Sequence, residues 1–240
     1  MISFFANKHG SGEIRGRQMA AHLGAKLNPR VGYRDDVCIY VKQQPPENYP
    51  PHSYLDIVDE HKRIGWLKQH PDIGVIASSV TGKRYLEEVL GREVVLIPQH
   101  HCNFERVQTP KKLLRIGVVG GKASMPAELA DTLGATRYEC KTRQDVVEAY
   151  HQIDIQVIWR GIDRPLKNPL KIVNAASFGI PTIALPEAGY EEMEGYYTRA
   201  TTIDEIWKAI LRIGYCNKER LVEKADEYHI ENIAMMYEAL

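Results

Sequence analysis

The chain has 240 residues, of which 44% are hydrophobic and 26% are charged, and its formal net charge is zero. These values are typical of a globular protein, and no apolar segment approaches the ~18 residues that a membrane-crossing helix needs. The balanced charge argues against a nucleic acid as the main partner.

The first half of the chain predicts strands that alternate with helices, which is the pattern of a parallel sheet covered by helices. The predicted strands are residues 2–5, 37–41, 54–58, 74–77 and 94–97, and the predicted helices are 16–23, 63–69 and 82–90. No positively charged region precedes the apolar start MISFF, so we interpret it as a first strand and not a signal peptide. We therefore expect a cytoplasmic protein.

The second half repeats the pattern after a polar, turn-prone stretch at 98–112, which we interpret as an interdomain linker. Its predicted strands are 113–119, 136–139, 155–159 and 182–185, and its predicted helices are 125–133, 143–152, 202–213 and 218–240. The fold class is therefore α/β, with two Rossmann-like domains whose parallel sheets face a central cleft. The predicted domains are 1–108, completed by the terminal helix 218–240, and 109–217.

The segment 167–192, KNPLKIVNAASFGIPTIALPEAGYEE, predicts a short helix, a turn, a buried strand and an acidic loop. Gly179 is placed to end the helix, and Pro181 prevents its continuation. Ligands in open α/β sheets bind outside the carboxyl ends of the strands, so loop 186–192 is expected beside a pocket.

The order of these segments resembles the GT-B glycosyltransferases. In the second half the resemblance is carried by RIGVVGGKAS, DVVEAYHQIDIQVIWRG, the segment 167–192 and the late helix TTIDEIWKAILRI. In the first half it is carried by FFANKHGSGEIRGRQMAAHLG and VVLIPQHHCNFE. The resemblance implies a nucleotide-sugar donor bound by the second domain, an acceptor on the side of the first, and no separate cofactor.

Two glutamates that many retaining members of this family carry are absent here. The alignment puts Asn174 at the position that holds the nucleotide ribose and Leu166 at the other position. Asn174 can still exchange hydrogen bonds with a ribose hydroxyl, whereas Leu166 cannot. Lys171, about one helical turn before Asn174, is a candidate for the diphosphate, and its alternative is a solvated helix residue.

The glycine loop HGSGEIRGR is a second candidate phosphate site. Gly10 and Gly12 permit close backbone approach, Ser11 and the following amides can donate hydrogen bonds, and Arg15 adds positive charge. The alternative is a plain strand-to-helix turn with exposed arginines.

Gly121 and Lys122 form the matching turn of the second half. The resemblance places Lys122 against the leaving diphosphate, and Arg160, after the strand IQVIW, is a similar candidate. Either cation could instead pair with a surface carboxylate. Glu187, with Glu191 and Glu192, is expected to bind sugar hydroxyls, because the family commonly has an acidic residue in this loop.

Asp59 and His61, in SYLDIVDEHKR, are the candidate proton acceptors, because they follow a predicted strand. Residues of such clusters also serve as helix caps or solvated loop residues. His100 and His101 are interpreted as polar hinge residues. Four widely spaced cysteines without a CxxC pair predict reduced thiols, and we find no motif for a metal site.

The sequence therefore predicts a metal-independent hexosyltransferase-type enzyme that moves a sugar from a nucleotide sugar to a hydroxyl acceptor. Its alternatives are an enzyme like the nucleotide-sugar 2-epimerases and a non-catalytic or partner-dependent module that binds a nucleotide sugar. A transferase needs an acceptor for turnover, an epimerase interconverts the donor alone, and a binding module does neither.

Overall fold

The computed structural model describes residues 1–109, 114–121, 124–161, 164–213 and 216–240. These residues form two parallel sheets with helices, which confirms the predicted α/β class. The strands are β1 (Ile2–Phe5), β2 (Lys26–Leu27), β3 (Val37–Val41), β4 (Ser53–Asp56), β5 (Gly74–Ala77), β6 (Val95–Leu96), β7 (Ile116–Val119), β8 (Thr136–Tyr138), β9 (Ile155–Ile158), β10 (Thr182–Ala184) and β11 (Thr198–Arg199). The helices are α1 (Met19–Leu23), α2 (Ile64–Gln69), α3 (Val80–Leu90), α4 (Ala127–Thr132), α5 (Arg143–His151), α6 (Leu170–Ser177), α7 (Ile203–Arg212), α8 (Lys218–Asp226) and α9 (Ile230–Glu238).

Both sheets have the strand order of a doubly wound fold. The first sheet has the order β2-β1-β3-β4-β5-β6 and the second the order β11-β10-β9-β7-β8, and neighbouring strands are parallel throughout. In each sheet the chain first adds a strand on one side of its first strand and then continues on the other side. Such a reversal of strand order opens a crevice at the carboxyl ends of the two strands concerned.

The chain divides into two compact units. Unit 1 contains Met1–His100, Arg164–Asn168 and Ile230–Leu240, and unit 2 contains His101–Asp163 and Pro169–His229. Each unit has its own apolar core, centred on Leu55 and Val75 in unit 1 and on Val157 and Ile183 in unit 2. No helix among the described residues is both long and apolar enough to cross a membrane.

The unit boundaries differ from the predicted domain boundaries in three places. Residues 101–108 lie in unit 2, where the His101 amide donates to the Tyr228 carbonyl and the Asn103 side chain donates to the Ser177 carbonyl. Residues 164–168, predicted in the second domain, lie in unit 1 because Leu166 is buried in its core. The predicted terminal helix is two helices, of which α8 belongs to unit 2 and α9 to unit 1.

Short elements account for the other differences. The edge strands β2 and β11 have two residues each, too few for a pattern of alternating residues to be recognised. The first helix begins earlier than predicted, with a π-helical segment at Gly12–Gln18 that continues into α1. The acidic loop after β10 contains a 3₁₀ segment, Ala188–Met193.

Candidate functional site

The crevice of the second sheet lies where β7 and β9 end. β7 pairs with β8 on one side and with β9 on the other, so the reversal of strand order falls between β7 and β9. Gly120 and Gly121 follow β7, and Trp159 and Arg160 follow β9. The Trp159 amide donates to the Ser124 carbonyl, which joins the two loops.

Lys171 places its ammonium group in the loop after β7. Its Nζ donates a hydrogen bond to Ser124 Oγ. A Cβ atom on Gly120 would lie only 2.6 Å from this Nζ, and the Gly120 φ of 130° is one that residues with side chains rarely adopt. Glycine at this position therefore serves both the turn and the room for the lysine.

The backbone of Lys171 is held by side chains from β9 and α5. Gln156 Nε2 donates to the Lys171 carbonyl at 2.9 Å, and the Tyr150 hydroxyl donates to Gln156 Oε1 at 2.7 Å. Both side chains are buried, and burial raises the pKa of the Tyr150 hydroxyl well above its ordinary value, so it stays a donor. These bonds fix the first turn of α6, and a charge that is held in place in advance can stabilise negative charge on a ligand without rearrangement.

Sequence reasoning missed three of these residues: Ser124, Gln156 and Tyr150. One signal was available, because Gln156 is the single polar residue of the strand IQVI. A buried polar side chain needs a hydrogen-bond partner, and the partner of Gln156 is the Lys171 carbonyl in the candidate site.

Arg160 and Glu187, both predicted to contact the ligand, contact each other. Arg160 Nε and Nη2 donate to the two oxygens of Glu187 at 2.6 and 2.5 Å. The Arg160 guanidinium also lies 5.9 Å from the centre of the Tyr190 ring. The pair joins the ends of β9 and β10, and the charges of its two members offset each other.

Asn174, predicted to face the ribose, also has a protein partner. Its Oδ1 accepts a hydrogen bond from the Cys102 amide at 2.9 Å, and the residue is buried. Asn174 therefore fixes residues 101–103 to α6.

Lys122 lies outside the described residues. Its neighbour Gly121 is exposed, and apart from its chain neighbours no described residue has an atom within 4 Å of the place where a Cβ would be. Ser124 accepts from the Lys171 ammonium and donates its amide to the Gly121 carbonyl at 2.9 Å, so these three residues form a polar corner at the end of β7.

The glycine loop of unit 1 follows β1, at the reversal of strand order of the first sheet. Gly10 has a φ of 52° and open space around it, and Ser11 precedes the π-helical segment without capping it through its side chain. A Cβ on Gly12 would lie 2.1 Å from Asn7 Oδ1, so this glycine permits close packing of the loop on itself.

Arg15 lies inside unit 1 and not at the surface of the loop. Its guanidinium is 1% exposed, and its Nε donates to Asp56 Oδ2 at 2.6 Å. The Tyr237 hydroxyl, from α9, donates to the same oxygen at 3.2 Å. Burial alone would lower the pKa of Arg15, but the attraction of Asp56 raises it, so the guanidinium remains charged. Arg15 is therefore not an exposed arginine, whereas Arg17 is partly exposed and pairs with Glu13 at 3.1 Å.

Asp59 and His61 follow β4 at the same edge of the first sheet. The Asp59 carboxylate lies 3.2 Å from the Lys167 ammonium, and Asp59 has a left-handed φ of 59°. The His61 ring packs edge-on against Tyr85, and its Nε2 is buried without a hydrogen-bond partner among the described residues. In the part of the chain that the structure describes, no three His, Cys, Asp or Glu side chains are grouped to hold a metal ion.

Comparison with protein families and with curated protein sequences gives no match. Solved structures do match. A glycosyltransferase from Rickettsia africae ESF-5 has a TM-score of 0.70 at 11% identity, over 99% of this chain and 96% of that one. Anabaena Alr3699/HepE, solved with UDP and glucose, has a TM-score of 0.63 at 10% identity, over 99% and 98%.

The GtfA/B complex has a TM-score of 0.56 at 9% identity, and the chain covers only 56% of the length of that protein. The similar structures are glycosyltransferases of the GT-B class, so this chain has the GT-B fold. The fold that the sequence resemblance predicts is confirmed.

Proposed function

We propose that the chain is a glycosyltransferase that moves a sugar from a nucleotide-sugar donor to a hydroxyl acceptor. The single observation that carries the proposal is the Lys171 ammonium, seated beside Gly120 and Ser124 at the end of β7. A fixed cation in the crevice of a doubly wound sheet suits a bound diphosphate.

A uridine diphosphate sugar is the donor to test first. The Anabaena protein of the same fold was crystallised with UDP and glucose and with UDP-glucose. These ligands also support the proposal that the transferred sugar is a hexose.

In the proposed reaction, the bond between the anomeric carbon and the diphosphate oxygen breaks, and the acceptor oxygen bonds to that carbon. The diphosphate gains negative charge as it leaves, and Lys171 stabilises that charge. Gln156 and Tyr150 keep the lysine in place through its carbonyl. Because Lys171 supplies positive charge, we propose that the reaction needs no metal ion.

The acceptor hydroxyl must lose a proton, and Asp59 and His61 remain the proposed acceptors of it. Asp59→Asn and His61→Gln test them separately. The variant that lowers kcat while leaving the dissociation constant of UDP unchanged identifies the base.

The experiment is calorimetric titration with UDP and UDP-glucose, followed by an assay of UDP release with a panel of sugar and lipid acceptors. We expect Lys171→Ala to weaken UDP binding roughly 10- to 100-fold, the range for a lost hydrogen bond to a charged group. Lys68→Ala is the matched control, because Lys68 is an exposed helical lysine of unit 1. Turnover that persists in a chelator would support the metal-independent reaction.

The absence of UDP binding, or equal weakening by both lysine substitutions, would refute the proposed donor site. A nucleotide-sugar-binding module is the second candidate, because Leu166 and Asn174 stand where many retaining members of the family carry glutamates. Binding without turnover for every acceptor would favour that module. Interconversion of the donor alone would favour an epimerase.

A further inference from the structure

Helix α7 of unit 2 has apolar side chains on two faces. Ile206, Ala209 and Ile210 are buried in the core of the unit. Ile203, Trp207 and Leu211 are exposed, by 42%, 40% and 82% of their surfaces. Residues four apart lie above one another on a helix, so these three form one outward stripe. It is defined here as the α7 stripe.

Positive charge lies beside the α7 stripe. Lys208 and Arg212 each follow a stripe residue, which puts them about 100° further around the helix. Among the described residues, neither is within ion-pair distance of a carboxylate. The carboxylates of α7 lie in its first turn, where Asp204 and Glu205 complement the helix dipole, and Glu205 is bound by Thr201.

A cleft of about 500 Å³ continues this basic surface. It lies between α7 and the edge strand β11, and Arg199, Lys208 and Arg212 line it beside Glu205. Arg199 is partly neutralised by Glu194, at 2.6 Å. The remaining positive charge comes from Arg212 and from Lys208, which the Glu205 carboxylate attracts from beyond ion-pair distance.

The size of the α7 stripe indicates what binds there. Its three side chains span nine residues, or about 12 Å of helix. A stable protein interface buries ~800 Å² on each partner, which three partly covered side chains do not supply. A bilayer surface needs no such matched area, because exposed Trp and Leu side chains enter the interfacial region while Lys and Arg contact anionic headgroups.

We propose that α7 docks the protein onto a membrane surface that carries anionic lipid. Ile203, Trp207 and Leu211 enter the interface, and Lys208 and Arg212 contact lipid phosphates. The inference is independent of the proposed glycosyl transfer, since it uses no residue of the candidate donor site.

The test is flotation of the full chain with vesicles of equal parts phosphatidylcholine and phosphatidylglycerol, and with vesicles of phosphatidylcholine alone. We expect binding to the anionic vesicles, which rising salt weakens. Lys208→Glu should lower the partition coefficient roughly 30-fold, because it removes one attractive charge and adds a repulsive one. Leu211→Ser should lower it roughly 10-fold, through the loss of buried apolar area.

Matched controls separate the α7 stripe from general exposure. Val31→Ser changes an apolar residue that is 83% exposed in unit 1, and Lys141→Glu reverses an exposed charge elsewhere in unit 2. Both should bind vesicles like the natural chain. Failure of the folded natural chain to bind anionic vesicles overturns the proposal. An equal loss of vesicle binding in Lys141→Glu and Lys208→Glu, or in Val31→Ser and Leu211→Ser, overturns it too.

Light scattering tests whether a second copy of the chain covers the α7 stripe instead. A dimer in solution that Leu211→Ser converts to a monomer would mean that a second copy covers the stripe, and the membrane proposal would be wrong. A monomeric natural chain that binds vesicles would support it.

Discussion

Gly120 combines two requirements in one residue of the candidate site. Its φ of 130° strains any other residue, and its missing Cβ leaves the space that Lys171 Nζ occupies. An alanine here would also approach Ser124 Oγ to 3.0 Å. The contacted atoms are ends of side chains, so we expect the lysine to move more readily than the sheet.

Gly120→Ala is therefore predicted to weaken UDP binding roughly 10-fold or more, because the displaced Lys171 loses a charged hydrogen bond to the diphosphate. Calorimetric titration measures the dissociation constant. Gly65→Ala is the matched control, since Gly65 lies in α2 of unit 1, has open space around it among the described residues and does not have a positive φ. Unchanged binding in Gly120→Ala would show that the lysine does not act from its present position.

Asp36 carries a pH dependence that belongs to unit 1. Its carboxylate accepts from Ser3 Oγ at 2.6 Å and from Lys26 Nζ at 2.8 Å, and the bonds to Lys26 and then Ser3 lower the pKa of Asp36 below its ordinary value of 3.8. A group whose pKa is lowered by folding stabilises the protein above its unfolded pKa and loses that effect as pH falls.

We predict that Asp36→Asn lowers the free energy of unfolding by about 1–2 kcal/mol at neutral pH. The difference from the natural chain should shrink as the pH falls below about 4, where the carboxylate of the unfolded chain is protonated. Urea unfolding at a series of pH values measures it. A difference that stays constant with pH would contradict the ionic role of Asp36.

The types of the candidate residues could be predicted from the sequence, but their partners could not. Lys171 and Gly121 are linked through Ser124, as expected from a helix start and a loop at the same sheet edge. Arg15 and Arg160 instead pair with carboxylates that are 41 and 27 residues away in the chain. Charge in a loop indicates a cation, whereas its partner depends on tertiary distances that no local pattern contains.

At the scale of elements, α6 links the candidate donor site to residues 101–103. Lys171 in its first turn contacts the loop after β7, and Asn174, three residues later, accepts from the Cys102 amide. The same eight-residue helix thus carries a candidate ligand contact and a structural contact.

Asn174→Ala should destabilise the protein by about 1–3 kcal/mol, because the buried Cys102 amide loses its acceptor. Asn174→Asp should recover part of this loss, since it keeps an oxygen at the same place. Thermal unfolding and UDP titration are measured on both variants. Full stability of Asn174→Ala together with weakened UDP binding would instead support the ribose role that the family resemblance implies.

Uninterrupted apolar runs were predictable, whereas the two-residue edge strands β2 and β11 and the interruption between α8 and α9 were not. β1, β3 and β5 have the predicted bounds, because each is a short apolar run flanked by turn residues. Residues 218–240 have apolar positions at helical spacing throughout. The helix is nevertheless interrupted at Tyr228 and His229, where the chain turns between α8 and α9. Apolar spacing alone did not distinguish one helix from two.

At the scale of the whole chain, the segment 164–168 accounts for one of the three differences between the predicted domains and the two units. In the segment 164–168, Leu166 is buried in the core of unit 1, Lys167 pairs with Asp59, and Asn168 donates to Ser78 and Gln99. The segment is too short to carry any periodicity, so its sequence neighbours suggested that it belongs to the second half. Only the tertiary contacts assign it to unit 1.

The two units lead to a last prediction, which concerns where a nucleotide acts. A ligand that binds one folded unit stabilises that unit by mass action, and amides there exchange more slowly. We expect UDP to slow hydrogen exchange in peptides that contain Gly120, Gly121 and the start of α6. Peptides of the glycine loop after β1 should exchange at an unchanged rate, because no group of that loop is needed to hold the diphosphate at Lys171.

Hydrogen exchange followed by mass spectrometry makes this comparison within one sample, so the unaffected unit serves as the internal control. Lys171→Ala should abolish the slowing in unit 2 without changing exchange in the absence of UDP, since the Lys171 carbonyl that Gln156 binds is retained. Slowing confined to the glycine loop would instead place the phosphate site in unit 1, where the sequence offers its second candidate. Each of the two candidate loops follows the first strand of its sheet, but the cations beside them differ. In unit 2 the Lys171 ammonium lies in the loop, whereas in unit 1 the Arg15 guanidinium is buried against Asp56. The pattern of protection therefore decides which of the two loops binds the diphosphate.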